Sequence, residues 1–227
     1  MRVETFKRCL DKVPPEVTII FSGFSEPWLA NRCAEMVQYA FHRGHKIKIY
    51  TTLIGMKETD IMILEKIPFK SFCVHLPSND TSNTIPVNKK YMHILEKIMN
   101  SRIKPGFIVI GKEQHKKLRY LKIKNIGCNP GHSRANNIST GEIVSSKRKR
   151  GKIQCSVSVG NNFTLLPNGD VALCCMDYSL SHIMGNLLKD DFQSLFKNEQ
   201  YGKIQAAFED EKVEIICRYC KWSKKKT

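Results

Sequence analysis

Long apolar runs are missing from this sequence. A helix that crosses a membrane needs roughly 18 or more apolar residues, and runs such as residues 17–21 fall far short. No secretory leader is expected, because residues 1–9 carry charges where its apolar stretch would lie. The expectation is a cytoplasmic protein with no membrane span. Acidic residues are scarce: 21 Asp and Glu against 37 Lys and Arg leave a formal charge of +16. Aromatics make up only 9%, and none interrupts the basic run Lys147-Arg148-Lys149-Arg150, so the stacking platform of a single-strand nucleic-acid binder is absent there. A solvated linker and a basic tail at Lys221, Lys224, Lys225 and Lys226 explain the charge more simply than nucleic acid does; an acidic substrate or partner stays open. What is present is 41% hydrophobic residues, enough for a packed core, and nine cysteines. In a reducing compartment, an odd count with close spacings points to metal or redox chemistry before disulfides.

The first half alternates strand and helix patterns. Residues 17–21 are short and β-branched. Residues 28–43 then carry Leu29, Cys33, Met36, Val37, Ala40 and Phe41 at helical spacing, with Gly44 placed to stop the helix. Strands are expected at 46–52, 69–76 and 105–110, and helices at 57–66, 91–100 and 114–122. Repeated βα units imply a parallel sheet with right-handed crossovers, whose ligands sit at the C-terminal ends of the strands. The loops after Phe21, Tyr50, Leu76 and Ile110 are therefore the informative ones, and His75 and Asp80 are candidate contacts on the third. His42 and His45 read as exposed helix-end residues, and Cys33 and Cys73 as core. Periodicity disappears over residues 125–151, which read as a connection.

Residues 152–227 hold five of the nine cysteines. Asn168-Gly169 between two apolar runs signals a hairpin with a type I′ turn. Cys155 precedes that hairpin, Cys174 ends it, and Cys217-Arg218-Tyr219-Cys220 follows. A Cys-x-x-Cys loop presents two thiolates to one centre, and two more from a hairpin complete a four-thiolate set. Spacing alone leaves zinc and iron–sulfur equally open. Cys174 and Cys175 are adjacent, and neighbours along a strand face opposite ways, so one of them reaches the site; Cys174 is the choice.

These residues resemble the SPASM domain of radical S-adenosylmethionine (SAM) enzymes. Its pattern runs through Cys155, Gly169 and Cys174, then Gly185-Asn186-Leu187, then Cys217 and Cys220. The resemblance implies one auxiliary [4Fe–4S] cluster on Cys155, Cys174, Cys217 and Cys220. Upstream, Ser22-Gly23-Phe24-Ser25-Glu26-Pro27 is similar to the family's Gly-Gly-Glu-Pro segment, where loop backbone and Glu hold the ammonium of SAM. Phe24 or Ser25 stands where that segment has its first glycine. By the same resemblance Gly23, Ser25, Glu26, Pro27, Thr51 and Thr52 would contact the cofactor, and Arg134, in Ser133-Arg134-Ala135, would face its carboxylate.

The resemblance implies an α/β fold class: a partial (β/α) radical SAM barrel with parallel strands over residues 1–124, the connection at 125–151, and a small α+β SPASM-like domain at 152–227. The family's Cys-x-x-x-Cys-x-x-Cys loop, which binds the SAM-cleaving cluster, is not found. Residues 1–15 read instead as the helix that follows such a loop, so an N-terminally truncated enzyme is expected. Small-molecule or peptide substrates and an electron-donor protein are the partners implied. The alternatives are a zinc-stabilised, basic nucleic-acid-binding protein and a non-catalytic scaffold derived from the family.

Overall fold

The computed structural model describes residues 1–80, 85–124, 126–129, 133–138, 146–157 and 162–226. The chain divides into two compact units, Met1–Gly131 and His132–Thr227. The expected connection at 125–151 lies partly outside the described residues.

Helix α1 (Val3–Leu10) opens the first unit and buries Val3, Phe6, Cys9 and Leu10 along one stripe. Five parallel strands follow: β1 (Ile19–Phe21), β2 (Ile47–Thr51), β3 (Ser71–Leu76), β4 (Gly106–Ile110) and β5 (Gly127–Asn129). Their order in the sheet is their order in the chain. A doubly wound sheet reverses direction at a switch point, whereas successive neighbours without reversal belong to a (β/α) barrel wall. Helices α2 (Cys33–His42), α3 (Glu58–Leu64) and α4 (Lys89–Met99) connect the first four strands. Right-handed crossovers in this order place all three on one face, and the core shows which. Ile47, Ile49, Phe72, Val74, Leu76 and Val109 are buried in one cluster with Met36, Val37, Leu64, Leu95 and Ile98. The alternate strand positions Lys48, Tyr50 and His75 remain half-buried on the opposite face, where the Tyr50 and His75 rings lie 6.0 Å apart.

Several local expectations are corrected. Residues 28–43 are not one helix. A 3₁₀ turn at Pro27–Leu29 is separated from α2 by Arg32, whose φ of 63° is left-handed and breaks the hydrogen-bond ladder. Residues 114–122 form a 3₁₀ segment, Lys116–Leu121. His45 is buried, its Nδ1 2.9 Å from the Val17 carbonyl, because the chain turns inward after Gly44. Strand β5 falls inside the stretch read as a connection. Gly-Cys-Asn has no hydrophobic alternation, and only its backbone pairing with Ile108–Ile110 marks it as a strand.

In the second unit β6 (Ile153–Cys155) pairs antiparallel with β10 (Ser223–Lys225). Strands β7 (Thr164–Leu165), β8 (Asp170–Ala172) and β9 (Ile183–Asn186) form an antiparallel sheet. The hairpin stands where expected, but its turn differs from type I′. Only Gly169 has positive φ, at 89°, and the Gly169 N–H donates to the Leu166 carbonyl while the Leu166 N–H donates to that of Asp170. That is a three-residue loop closed by a left-handed glycine. A Cβ on Gly169 would lie 2.7 Å from Leu188 and 2.8 Å from the Asn186 amide oxygen, so the position has no room for a side chain. Helix α5 (Glu199–Glu209) is preceded by a separate 3₁₀ turn, Gln193–Phe196, with the Asn198 side chain capping α5 by accepting from Tyr201 N–H. Among the described residues no helix is long and apolar enough to cross a membrane.

Candidate functional site

In the first unit the loop after β1 and the end of β2 meet at one carboxylate. Thr51, 1% exposed, donates its hydroxyl to Glu26 Oε1 at 2.5 Å. Thr52 donates both its N–H and its hydroxyl to Glu26 Oε2, each at 2.6 Å. The Trp28 N–H adds a longer bond to Oε1 at 3.4 Å. A carboxylate offers about four lone-pair sites, so Glu26 is fully engaged. Its direct task here is to fasten the 22–27 loop to the strand end. What remains for an ammonium is the carboxylate's charge at close range and the carbonyls of the loop it fixes. Gly23, with φ 123°, turns the chain in that loop, Pro27 begins the 3₁₀ turn, and Ser25 is exposed.

The following turn is also tightly held. Leu53 has a left-handed φ of 65°, and its N–H donates to Thr51 Oγ1 at 2.8 Å. Gly55 passes so close to the Trp28 carbonyl that a Cβ there would approach it to 2.7 Å. Strain of this kind at a strand's C-terminal end is held by its surroundings and is common at ligand sites. Trp28 Nε1 and the Tyr91 hydroxyl are buried nearby in the same core without hydrogen-bond partners. Burial, and then the charge of Glu26, push the Tyr91 hydroxyl well above its ordinary range. The sequence reading missed both: Tyr91 sits on the apolar stripe of α4, and Trp28 lies in the 3₁₀ turn before α2. The contact candidates after β3 and β4 are stitched together: Asp80 Oδ2 accepts the Lys112 N–H at 2.8 Å, and Ser78 donates to the Glu113 carbonyl at 2.7 Å.

In the second unit three separate segments bring thiols together. Cys155 ends β6 opposite Ser223 of β10. Cys217 lies within a 3₁₀ turn, Ile216–Tyr219, and Cys220 caps its end, the Cys220 N–H donating to the Cys217 carbonyl. Cys174 packs against the small apolar cluster of Ala135, Met176 and Cys220. Burial, and then the neighbouring Cys174, Cys220 and Cys155, push the Cys217 thiol far up. Burial, and then Cys175 and Cys220 against the pull of local N–H groups, raise Cys174 to about 12. Burial also raises Cys220, with Cys155 adding to it. These are thiols whose anionic forms are costly to gather in a buried place, and a bound cation relieves that cost. The donor set therefore fits a thiolate-bound iron centre. Among the described residues no three His, Cys, Asp or Glu side chains already stand in the arrangement that grips a single ion.

Cys174 is among the groups that raise the Cys217 thiol, and strand alternation does not separate it from Cys175. β8 ends at Ala172, and both cysteines lie in the turn beyond it, where the Asp177 N–H donates to the Cys174 carbonyl. That turn is built around Asp177, 0% exposed, which accepts from the Ser181 and His182 N–H groups at 3.0 and 2.7 Å and lies 3.3 Å from His182 Nδ1. Burial alone would raise its pKa. Bonds from the His182 side chain and the two amides outweigh burial and hold it below its ordinary 3.8. A depressed carboxyl pKa adds stability that is present at neutral pH and lost as pH falls below about 3.8 through the folded value. Asp177→Ala is expected to cost about 2–3 kcal/mol at pH 7 and to flatten the loss of melting temperature between pH 5 and pH 2.5, measured by thermal unfolding.

Arg134 lies in the second unit, where its Nη1 donates to the Cys175 carbonyl at 2.8 Å. It belongs to three successive left-handed residues, Arg134, Ala135 and Asn136, at φ 49°, 54° and 67°. Asn137 secures them by donating to the Arg134 and Met176 carbonyls. Gly185 and Asn186 lie within β9, where the Asn186 side chain donates to Asp170 at 2.8 Å. The basic run is largely used inside this unit: Arg148 pairs with Glu214, Lys149 Nζ donates to the Cys220 carbonyl, and Lys152 and Lys226 share Glu209.

Residues 155–221 match the family model SPASM, described as an iron-sulfur cluster-binding domain. No curated protein matches the sequence. Solved structures do match its fold. BtrN in an open conformation is 15% identical, with 96% of this chain and 78% of that one covered and a TM-score of 0.57. BtrN in complex with AdoMet and 2-DOIA is 16% identical, covering 91% and 72%, at 0.55. The enzyme anSMEcpe with bound AdoMet and Kp18Cys peptide is 13% identical, covering 98% and 78%, at 0.57. The chain thus has the fold of radical SAM enzymes. Its C-terminal unit carries a SPASM domain, and the α/β class with a small cysteine-rich α+β unit stands as expected.

Proposed function

We propose that this chain is a radical SAM/SPASM protein that binds an auxiliary [4Fe–4S] cluster through Cys155, Cys174, Cys217 and Cys220, and SAM at the Glu26–Thr51–Thr52 end of its sheet. What supports the reading is that these four cysteines fall within the residues that match an iron–sulfur domain, with Cys174, Cys220 and Cys155 each acting on the buried Cys217 thiol. The Glu26 loop would receive the amino-acid end of SAM, with Gly23, Ser25 and Pro27 shaping its backbone. When bound, the auxiliary cluster would supply electron transfer; cleaving SAM to give a hydrogen-abstracting radical takes the separate cluster that the family's Cys-x-x-x-Cys-x-x-Cys loop binds. This chain's residues orient the cofactor and substrate and shield the thiolates. No three of the nine cysteines have the Cys-x-x-x-Cys-x-x-Cys spacing, so these residues assign no ligands to a SAM-cleaving cluster. By analogy with the substrates in the BtrN and anSMEcpe structures, the substrate class is a small molecule or a peptide. An electron-donor protein is the accompanying partner.

Anaerobic reconstitution with iron and sulfide tests the reading. A brown chain holding about four irons supports it. A colourless chain with tightly bound zinc favours the zinc-stabilised alternative and overturns it.

A further inference from the structure

Arg218 stands between Cys217 and Cys220 and is 0% exposed. A guanidinium has five N–H donors, and here each finds a backbone carbonyl. Nε donates to Val213 at 3.2 Å, Nη1 to Lys149 and Gly151 at 3.1 and 3.0 Å, and Nη2 to Ala207 and Asp210 at 2.6 and 2.7 Å. None of the five acceptors is a carboxylate. With every donor used, Arg218 has nothing left to offer a substrate or an anion. A buried guanidinium without a carboxylate partner is costly, and its position next to Cys217 points to what offsets that cost.

We infer that Arg218 is the positioning residue of the cluster site: it braces Cys155, Cys217 and Cys220 into one frame, and its fixed charge offsets that of the cluster. The inference rests on the cluster reading above. The bracing follows from where the five carbonyls lie. Ala207 and Asp210 are at the end of α5, Val213 is in the turn leading to Cys217, and Lys149 and Gly151 are in the segment that enters β6 and ends at Cys155. The segment answers in kind. The Lys149 N–H donates to the Arg218 carbonyl at 2.8 Å, and Lys149 Nζ donates to the Cys220 carbonyl at 2.6 Å. Pairing of β6 with β10 then sets Cys155 opposite Ser223, whose N–H donates to the Cys220 carbonyl. Lysine, with three donors on one nitrogen, cannot span five carbonyls, but it keeps the charge. A permanent positive charge beside the cluster favours the reduced, more negative state, so losing it moves the potential downward.

The test uses the full chain with Arg218→Met and Arg218→Lys. In the iron-free proteins, hydrogen exchange at Lys149, Cys220 and Ser223 is expected to quicken roughly tenfold or more in both variants, while β7–β8–β9 stays unchanged. After anaerobic reconstitution, Arg218→Met is expected to hold less than half of the wild-type iron, with a more negative potential in an EPR-monitored titration. Arg218→Lys also loses iron but keeps the wild-type potential. Wild-type exchange, iron content and potential in Arg218→Met would overturn the inference, as would a Lys variant whose potential falls with that of Met. Should Arg218→Met not fold, the Lys variant decides: lost iron at an unshifted potential supports the inference, and wild-type iron and exchange overturn it. A wild-type chain that takes up zinc and no cluster defeats the cluster reading, and exchange in the iron-free proteins still reads the brace.

Discussion

Cys174→Ala is expected to remove most of the cluster from the reconstituted chain, while Cys175→Ala leaves iron content close to wild type. The two residues are adjacent, of the same chemistry, and both half-buried, so burial and sequence position do not separate them. Coupling does: Cys217 is raised by Cys174, Cys220 and Cys155. Cys174 also packs against the Cys220 cluster, while the Cys175 carbonyl serves Arg134. A four-iron cluster takes one thiolate per iron, so losing Cys174 exposes one iron to solvent. The expected products are a three-iron species or an empty site, read as iron per chain and as an EPR signal of the oxidised protein. Equal iron in Cys174→Ala and wild type, with loss in Cys175→Ala, would reverse the ligand assignment. Loss in neither would remove the hairpin from the site.

The second large effect is expected at Glu26. Its carboxylate takes three short bonds from Thr51 and Thr52, and hydrogen bonds to a charged group contribute about 1.5–3 kcal/mol each. Glu26→Ala strands the Thr51 hydroxyl, 1% exposed, and frees the 22–27 loop from the strand end. Binding of SAM, measured by equilibrium dialysis on the full chain, is expected to weaken at least about tenfold, one such bond's worth. Glu26→Gln preserves shape but turns an amide N–H₂ toward a group that also donates, the Thr52 N–H. It is therefore expected to behave like the Ala variant and not like wild type. Thr52→Val, which keeps the backbone bond and loses only the hydroxyl, should weaken binding less. Unchanged binding in Glu26→Ala with a normal melting temperature would remove the loop from the cofactor site.

How much of this was legible in the sequence depended on whether a signal was local. The strand-forming runs at 47–51, 71–76 and 106–110 are short, apolar and bounded by turns, the first and last rich in β-branched residues, so their existence and order could be read directly. Glu26, Thr51 and Thr52 were each named through the family resemblance, and only the structure shows the two threonines bonding to the carboxylate. The saturation of that carboxylate needed geometry. Strand β5 was hidden because Gly-Cys-Asn owes its state to its neighbour β4. His45 was misjudged because helix-end histidines are usually solvated, and only the inward turn at Gly44 buries this one. Asn168-Gly169 gave the hairpin correctly and the turn type wrongly, since Asn168 has no positive φ and the loop is one residue longer. Arg218 was read past as the filler of a Cys-x-x-Cys loop. No sequence pattern marks a residue whose partners are backbone carbonyls 5 to 69 positions away. Trp222, 45% exposed with Lys221 5.0 Å over its ring, was likewise passed over inside the basic tail.

The central claim is that the thiols of Cys155, Cys174, Cys217 and Cys220 hold one four-iron cluster. Mössbauer spectroscopy of the chain reconstituted with ⁵⁷Fe reads it most directly. A single valence-delocalised iron–sulfur species of about four irons per chain is expected, largely lost in Cys174→Ala and retained in Cys175→Ala. A spectrum showing only mononuclear or adventitious iron, beside one tightly held zinc per chain, would contradict it.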